Sequence, residues 1–179
     1  MDLRTERTRR SIINAFMELR SRKPIEKITI KELAELAVIN KATFYSHYQD
    51  IYDLSEYLEN ETLDKIITDI PHLEELMSNP GQAAKALTIA FVSEKQLIDI
   101  LFSGSRAAFF ASKLEERIKK KIYDLCPEYR NDLERDIILT YLIQGGIHVF
   151  LEPPADTQPE ELLDIIGRIG DRMMGYTEP

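Results

Sequence analysis

The chain of 179 residues has no tryptophan, one cysteine (Cys126), 7 glycines and 8 prolines. A lone thiol excludes an internal disulfide and a cysteine-based zinc cage, and it fits a reducing compartment. Gly and Pro together make 15 of 179 residues, below the roughly 12% of average usage, which favours helices over turn-rich architectures. The longest uncharged run, Ile137 to Leu151, has 15 residues, short of the roughly 18 that a membrane-spanning helix needs. The opening stretch MDLRTERTRR lacks the apolar core of a secretory signal. A cytoplasmic protein with no membrane partner is therefore expected. There is no P-loop, no G-x-S-x-G, no H-E-x-x-H and no converging acid–base pair, so an enzyme is not expected and no cofactor or metal is called for. His47, His72 and His148 stand apart from other ligand residues in the sequence.

Hydrophobic residues at 44% and charged residues at 30% describe a folded, soluble chain. Its net charge of −8 argues against nucleic acid, whose phosphates need positive potential. The distribution reverses that. Residues 1–50 hold 10 Lys/Arg against 7 Asp/Glu, and residues 51–179 hold 13 against 24. A basic module of net +3 is thus carried by an acidic body of net −11.

Apolar spacing is helical in every segment between the prolines, so the expected fold is all-α with about nine helices. The first, about Thr5 to Ser21, gathers Ile12, Phe16 and Leu19 on one face. It places Arg4, Arg7, Arg9 and Arg10 at the end where the helix dipole disfavours cations. Thr29 with Glu32 reads as a capping box for a short helix ending near Leu36 or Ala37. Asn40 caps a further short helix from Lys41 to His47 or Tyr48, completing a helix-turn-helix. Asp50 caps a long helix reaching about Ile70, and Asn79-Pro80 starts the next. Ser93 with Gln96 reads as a second capping box and predicts a break or a fresh helix before Leu97 to Phe102. Ser105 is expected to cap a helix to Leu125, with Phe110, Leu114, Ile118 and Ile122 inward. The stretch from Leu133 to Leu151 is apolar almost all round. Thr157 with Glu160 opens a last helix to about Tyr176, which Gly167 and Gly170 are expected to interrupt.

The second helix of a helix-turn-helix lies in the DNA major groove with its first residues at the base edges, so it needs short polar groups outward and bulk inward. Lys41 to Tyr48 has that pattern, with Phe44 facing the core and Lys41, Ala42 and Tyr45 facing out. Lys41 suits guanine or a phosphate, and Ala42 and Thr43 suit a thymine methyl. Tyr45 and His47 suit phosphate or sugar oxygens. Thr29 and Lys31 suit a phosphate. Tyr48 is expected to pack. Arg7, Arg9 and Arg10 either stand in solvent or track the phosphate backbone.

The segment Lys31-Glu32-Leu33-Ala34 with Ala37 to Tyr48, above all Thr43-Phe44-Tyr45 followed by an aromatic, resembles the DNA-binding domain of TetR-type transcriptional regulators. The close resemblance spans residues 8–60. It implies an all-helical homodimer with a DNA-binding domain at residues 1–50 and a helical regulatory and dimerisation domain at 51–179. It also implies DNA contacts from Thr29, Lys31, Lys41, Ala42, Thr43, Tyr45 and His47. Two positions depart from the family. Val38 stands where a turn glycine is usual, so the turn either accepts strain of roughly 1–2 kcal/mol or closes differently. Ile51 stands where a phosphate-binding lysine is common.

The expected function is a repressor that holds a palindromic double-stranded operator as a homodimer and is released by a small-molecule effector. An effector pocket would draw on Phe91, Phe102, Phe109, Phe110, Tyr141, Gln144 and His148. A dimer face would draw on Leu133, Ile137, Tyr141, Ile147, Leu162, Ile166, Ile169 and Met173. The alternative is a helical co-regulator whose C-terminal domain answers to a protein partner rather than a metabolite.

Overall fold

The computed structural model describes residues 3–70 and 79–175. His72 and the expected helix end at Tyr176 lie outside the described residues. Among the described residues the chain is all-helical, with α1 Leu3–Arg20, α2 Ile30–Leu36, α3 Lys41–Tyr45, α4 Ile51–Thr68, α5 Pro80–Leu101, α6 Ala107–Leu125, α7 Leu133–Leu151 and α8 Pro159–Gly175. Short 3-10 turns sit at Ile25–Lys27, Gly104–Arg106 and Pro127–Asn131.

Eight α-helices stand here rather than about nine, because Ser93 and Gln96 do not break α5. The Ser93 hydroxyl donates to the Ala90 carbonyl one turn back (2.7 Å), so the motif that reads as a cap is spent inside a continuous helix. Ser105 is likewise no cap: its hydroxyl donates to Glu26. Residues 104–106 form a 3-10 turn in which Gly104 takes φ +58°, a region that glycine enters without a Cβ penalty. The last helix begins at Pro159, two residues after Thr157, with proline in the first turn where its missing N–H costs nothing. Gly167 and Gly170 lie within α8 without interrupting it. A Cβ on Gly167 would stand 2.7 Å from the Gly81 Cα, so that glycine serves close helix approach.

The chain divides into two compact units. The first, the head, takes the described residues up to Thr62 together with Gln96–Ala107. It therefore extends past residue 50 along α4 and adds a segment from much later in the sequence. The second, the body, takes Leu63–Lys95 and the described residues from Ala108 onward.

In the head, Ile12, Phe16 and Leu19 of α1 are buried with Leu33 and Ala34 of α2, Phe44 of α3 and Leu54 and Leu58 of α4. Leu101 and Phe102 of the returning segment are buried in the same unit. Arg20, only 4% exposed, donates to the carbonyls of Ser103 (2.8 Å) and Leu101 (3.5 Å) at the end of α5, where a cation meets both free carbonyls and the negative end of the helix dipole. Burial pulls its guanidinium below the ordinary value, against the raising pull of Glu26 and Glu59. Glu59 has no exposure and accepts a two-pronged pair from Arg106 (2.7 and 2.6 Å) and a bond from Ser55 (3.0 Å).

In the body, α6 buries Phe110, Leu114, Ile118 and Ile122 on an unbroken i, i+4 stripe, and α7 buries Leu139, Ile143 and Ile147 the same way. A polar cluster lies between these two helices. Lys119 donates to Asp136 (2.8 Å) and Thr140 (2.7 Å), Thr140 to Glu115 (3.0 Å), and Tyr123 to Asp136. Hydrogen bonds from Lys119 and Tyr123 hold the Asp136 carboxyl below its ordinary range. Burial works against charge on Glu115, but hydrogen bonds from Gln144, Lys119 and Thr140 outweigh it and leave that carboxyl depressed as well.

Candidate nucleic-acid interface

Helix α3 is positioned by its cap and its aromatic anchors. The Asn40 side chain accepts from the Thr43 backbone N–H (2.7 Å) and from the Thr43 hydroxyl (2.9 Å), closing the first turn. Phe44 is fully buried and Tyr48 is 6% exposed, their rings 5.9 Å apart. Burial raises the Tyr48 phenol above its ordinary value, with nearby Arg9 acting in the opposite direction. That anchoring leaves Lys41, Ala42 and Tyr45 outward on α3, with Tyr45 at 57% exposure and edge-on to Phe44. Thr43 and His47 are half-buried. Of the Thr43 side chain, the methyl group is what remains for an apolar contact once the hydroxyl has donated to Asn40.

Helix α2 holds the other two residues read as DNA contacts. Thr29 is exposed and caps α2 by accepting from the Glu32 N–H (3.2 Å). Only half of the expected capping box forms, because the Glu32 carboxylate binds Lys23 instead. Lys31 is exposed and lies 4.0 Å from Glu35, a solvated pair worth little.

The turn between α2 and α3 accepts its strain. Val38 takes φ +55°, its N–H donating to the Glu35 carbonyl (3.2 Å), while the Ile39 N–H reaches back to Ala34 (3.0 Å). This is a Schellman closure with valine in the position that glycine usually fills. The backbone pattern is therefore that of a glycine turn, and Val38 is left 90% exposed. Ile51 is buried at 6% exposure and Asp50 is used as the cap of α4, accepting from the Tyr52 and Asp53 N–H groups (2.7 and 2.8 Å).

The arginines of α1 divide. Arg9 is half-buried and placed over the Tyr57 ring, 4.4 Å from its centroid. Arg4, Arg7 and Arg10 are exposed. Sequence reasoning did not connect Arg4 and Arg7 with Val38 and Ile39, which line a common groove of about 570 Å3. The i, i+3 spacing of the two arginines was the available signal.

Of the residues expected to line an effector pocket, Phe91 and Phe110 are brought together. Phe91 and Phe110 are buried in the body with ring centroids 5.8 Å apart, and Phe150, which the sequence reading did not single out, stacks on Phe91 at 5.3 Å. Phe102 belongs to the head. Phe109, Tyr141 and His148 are exposed, and Gln144 donates to Glu115. A polar groove of about 820 Å3 in the body is lined instead by residues such as Asn79, Lys85, Asp164 and Arg168 from the start of α5 and from α8.

Of the residues expected to form a dimer face, Leu133, Ile137 and Tyr141 of α7 are exposed at 74%, 46% and 67%, and Ile169 of α8 at 51%. Leu162, Ile166 and Met173 are half-buried. Ile147 is buried on the inner stripe with Leu139 and Ile143, because it falls eight residues from Leu139 and so on the same helical face. It faces its own core.

Among the described residues no group of three or more His, Cys, Asp or Glu side chains is placed to hold a metal, and no helix is long and apolar enough to cross a membrane. No family model matches the chain, and no curated protein matches it. A solved structure does. The crystal structure of the TetR family repressor AlkX from Dietzia sp. strain DQ12-45-1b, implicated in biodegradation of n-alkanes, is similar over 94% of this chain and 98% of that one, with a TM-score of 0.50 at 18% identity. The chain has the all-helical fold of a TetR family repressor.

Proposed function

We infer that this protein is a DNA-binding transcriptional regulator of the TetR type, a repressor that holds a palindromic operator as a homodimer and leaves it when an effector binds. The observation that carries this reading is the outward face of α3, where Lys41, Ala42 and Tyr45 stand free of the core that Phe44 and Tyr48 secure. Each α3 would enter a major groove, with the two heads about 34–36 Å apart, one helical turn of DNA. Thr29, Lys31, Thr43 and His47 would complete the contact. The exposed apolar residues of α7 and α8 supply the surface for a second copy.

Release requires an effector that binds two states of the dimer unequally. The polar groove at the starts of α5 and α8 suits a polar small molecule. Exposure of Phe109, Tyr141 and His148 favours a second reading, in which the body answers to a protein partner. Gel-shift titration on the DNA beside its gene tests the main reading. Lys41→Ala and Tyr45→Ala should each weaken binding with helicity and dimerisation intact, and unchanged affinity would reject α3 as the recognition face. A monomer by sedimentation would reject the dimer.

A further inference from the structure

Beyond α3, the head carries a second concave surface. Arg4, Arg7, Thr8 and Ser11, spaced i, i+3, i+4 and i+7, form one face of the first turns of α1 and look across a groove of about 570 Å3 at Val38 and Ile39. The residues that line it include two guanidinium groups and no carboxylate. It also adjoins α3 in the chain, since Ile39 directly precedes the cap Asn40. Its far wall holds a strained valine that is 90% exposed, so this side chain gains no burial in the free molecule to offset its positive φ.

We propose that this groove holds a phosphodiester of the DNA strand that flanks the bases read by α3, with Arg4 and Arg7 donating to its oxygens and Val38 packing on the adjoining deoxyribose. The assignment rests on the DNA-binding reading of α3 and extends the footprint beyond the helix-turn-helix. Two arginines lining one groove are suited to a phosphate, because their planar forks present several donors in fixed directions.

The test is fluorescence anisotropy of the full chain on a labelled random-sequence duplex, titrated between about 50 and 200 mM salt. The double variant R4A/R7A should reduce the slope of log affinity against log salt by roughly one unit per head. R4K/R7K should retain the slope. Arg10→Ala removes one charge from the same helix outside the groove and should leave the slope unchanged. Circular dichroism melts confirm that the variants are folded. Val38→Gly should melt higher and yet bind a few-fold more weakly. A wild-type slope in R4A/R7A, or an equal loss in Arg10→Ala, overturns the groove while α3 keeps its role; Val38→Gly binding as tightly as wild type overturns the sugar contact. Wild-type protein that ignores the duplex even at low salt overturns both readings together.

Discussion

In the head, Arg20 and Glu59 are buried at 4% and 0% exposure and held by partners of the same unit, while Lys41 and Tyr45 stand outward on α3; in the body, Glu115, Lys119 and Asp136 form a half-buried cluster, while Leu133, Ile137, Tyr141 and Ile169 stand outward. The head also leaves apolar side chains outward, Leu36, Val38 and Tyr45 among them, beside the exposed Lys31 and Lys41. In the body, Leu133, Ile137 and Tyr141 fall four residues apart on α7, a stripe that a second copy would cover on the proposed reading. The two units thus differ in the surface they present, exposed cations beside apolar groups in one and an apolar stripe on α7 in the other.

The comparison can be broken first at Glu59. Removing the carboxylate in Glu59→Ala leaves Arg106, with a side chain only 16% exposed, without its pair, and should cost about 3–5 kcal/mol in urea unfolding. A loss under about 1 kcal/mol would place the head's charges among ordinary surface pairs. In the body, Gly167→Ala drives a Cβ against the Gly81 backbone and should cost about 1–3 kcal/mol, seen as a lower melting temperature. Lys41→Ala should weaken DNA binding by about 1–3 kcal/mol without moving the melt, which separates the head's surface from its core.

A smaller change of opposite sign is expected at Val38→Gly. Relief of roughly 1–2 kcal/mol of left-handed strain, less roughly 0.5–1 of added chain entropy, should stabilise the head by about 0.5–1 kcal/mol. The smallest effect concerns acid. Asp136 and Glu115 are depressed in the folded body, so their contribution is complete above the ordinary carboxylate range and fades as pH falls through their folded values. Asp136→Asn should flatten the acid limb of a melting-temperature profile; an unchanged limb would move acid sensitivity out of the body.

Local signals were legible in the sequence wherever a residue acts on its own backbone. Asn40, Asp50 and Asn79 cap the helices they were read to cap, and the α6 stripe is buried as its spacing predicts. Ser93 misled because a serine followed three residues later by glutamine looks the same at a helix start as in a helix interior, where the hydroxyl bonds backward. Gly167 misled because low helix propensity is outweighed by a tertiary approach that only glycine permits. The Glu59–Arg106 pair joins residues 47 positions apart, and Arg20 reaches carbonyls more than 80 positions away, distances at which periodicity carries no information. At the candidate interface, the outward and inward residues of α3 followed from helical spacing. The Arg4–Arg7 groove did not, because its other wall, Ala37 to Ile39, lies some thirty residues further along the chain, beyond the reach of helical spacing.

The chain visits the head twice, and this bears on modular transplantation. A head cut out by one break near residue 62 would leave behind Arg106 and the carbonyls that Arg20 grips, exporting a buried Glu59 carboxylate stripped of its arginine to its new host. A working chimera therefore has to splice in residues 96–107 as a second insert, so that the portable part of this molecule is a discontinuous pair of segments.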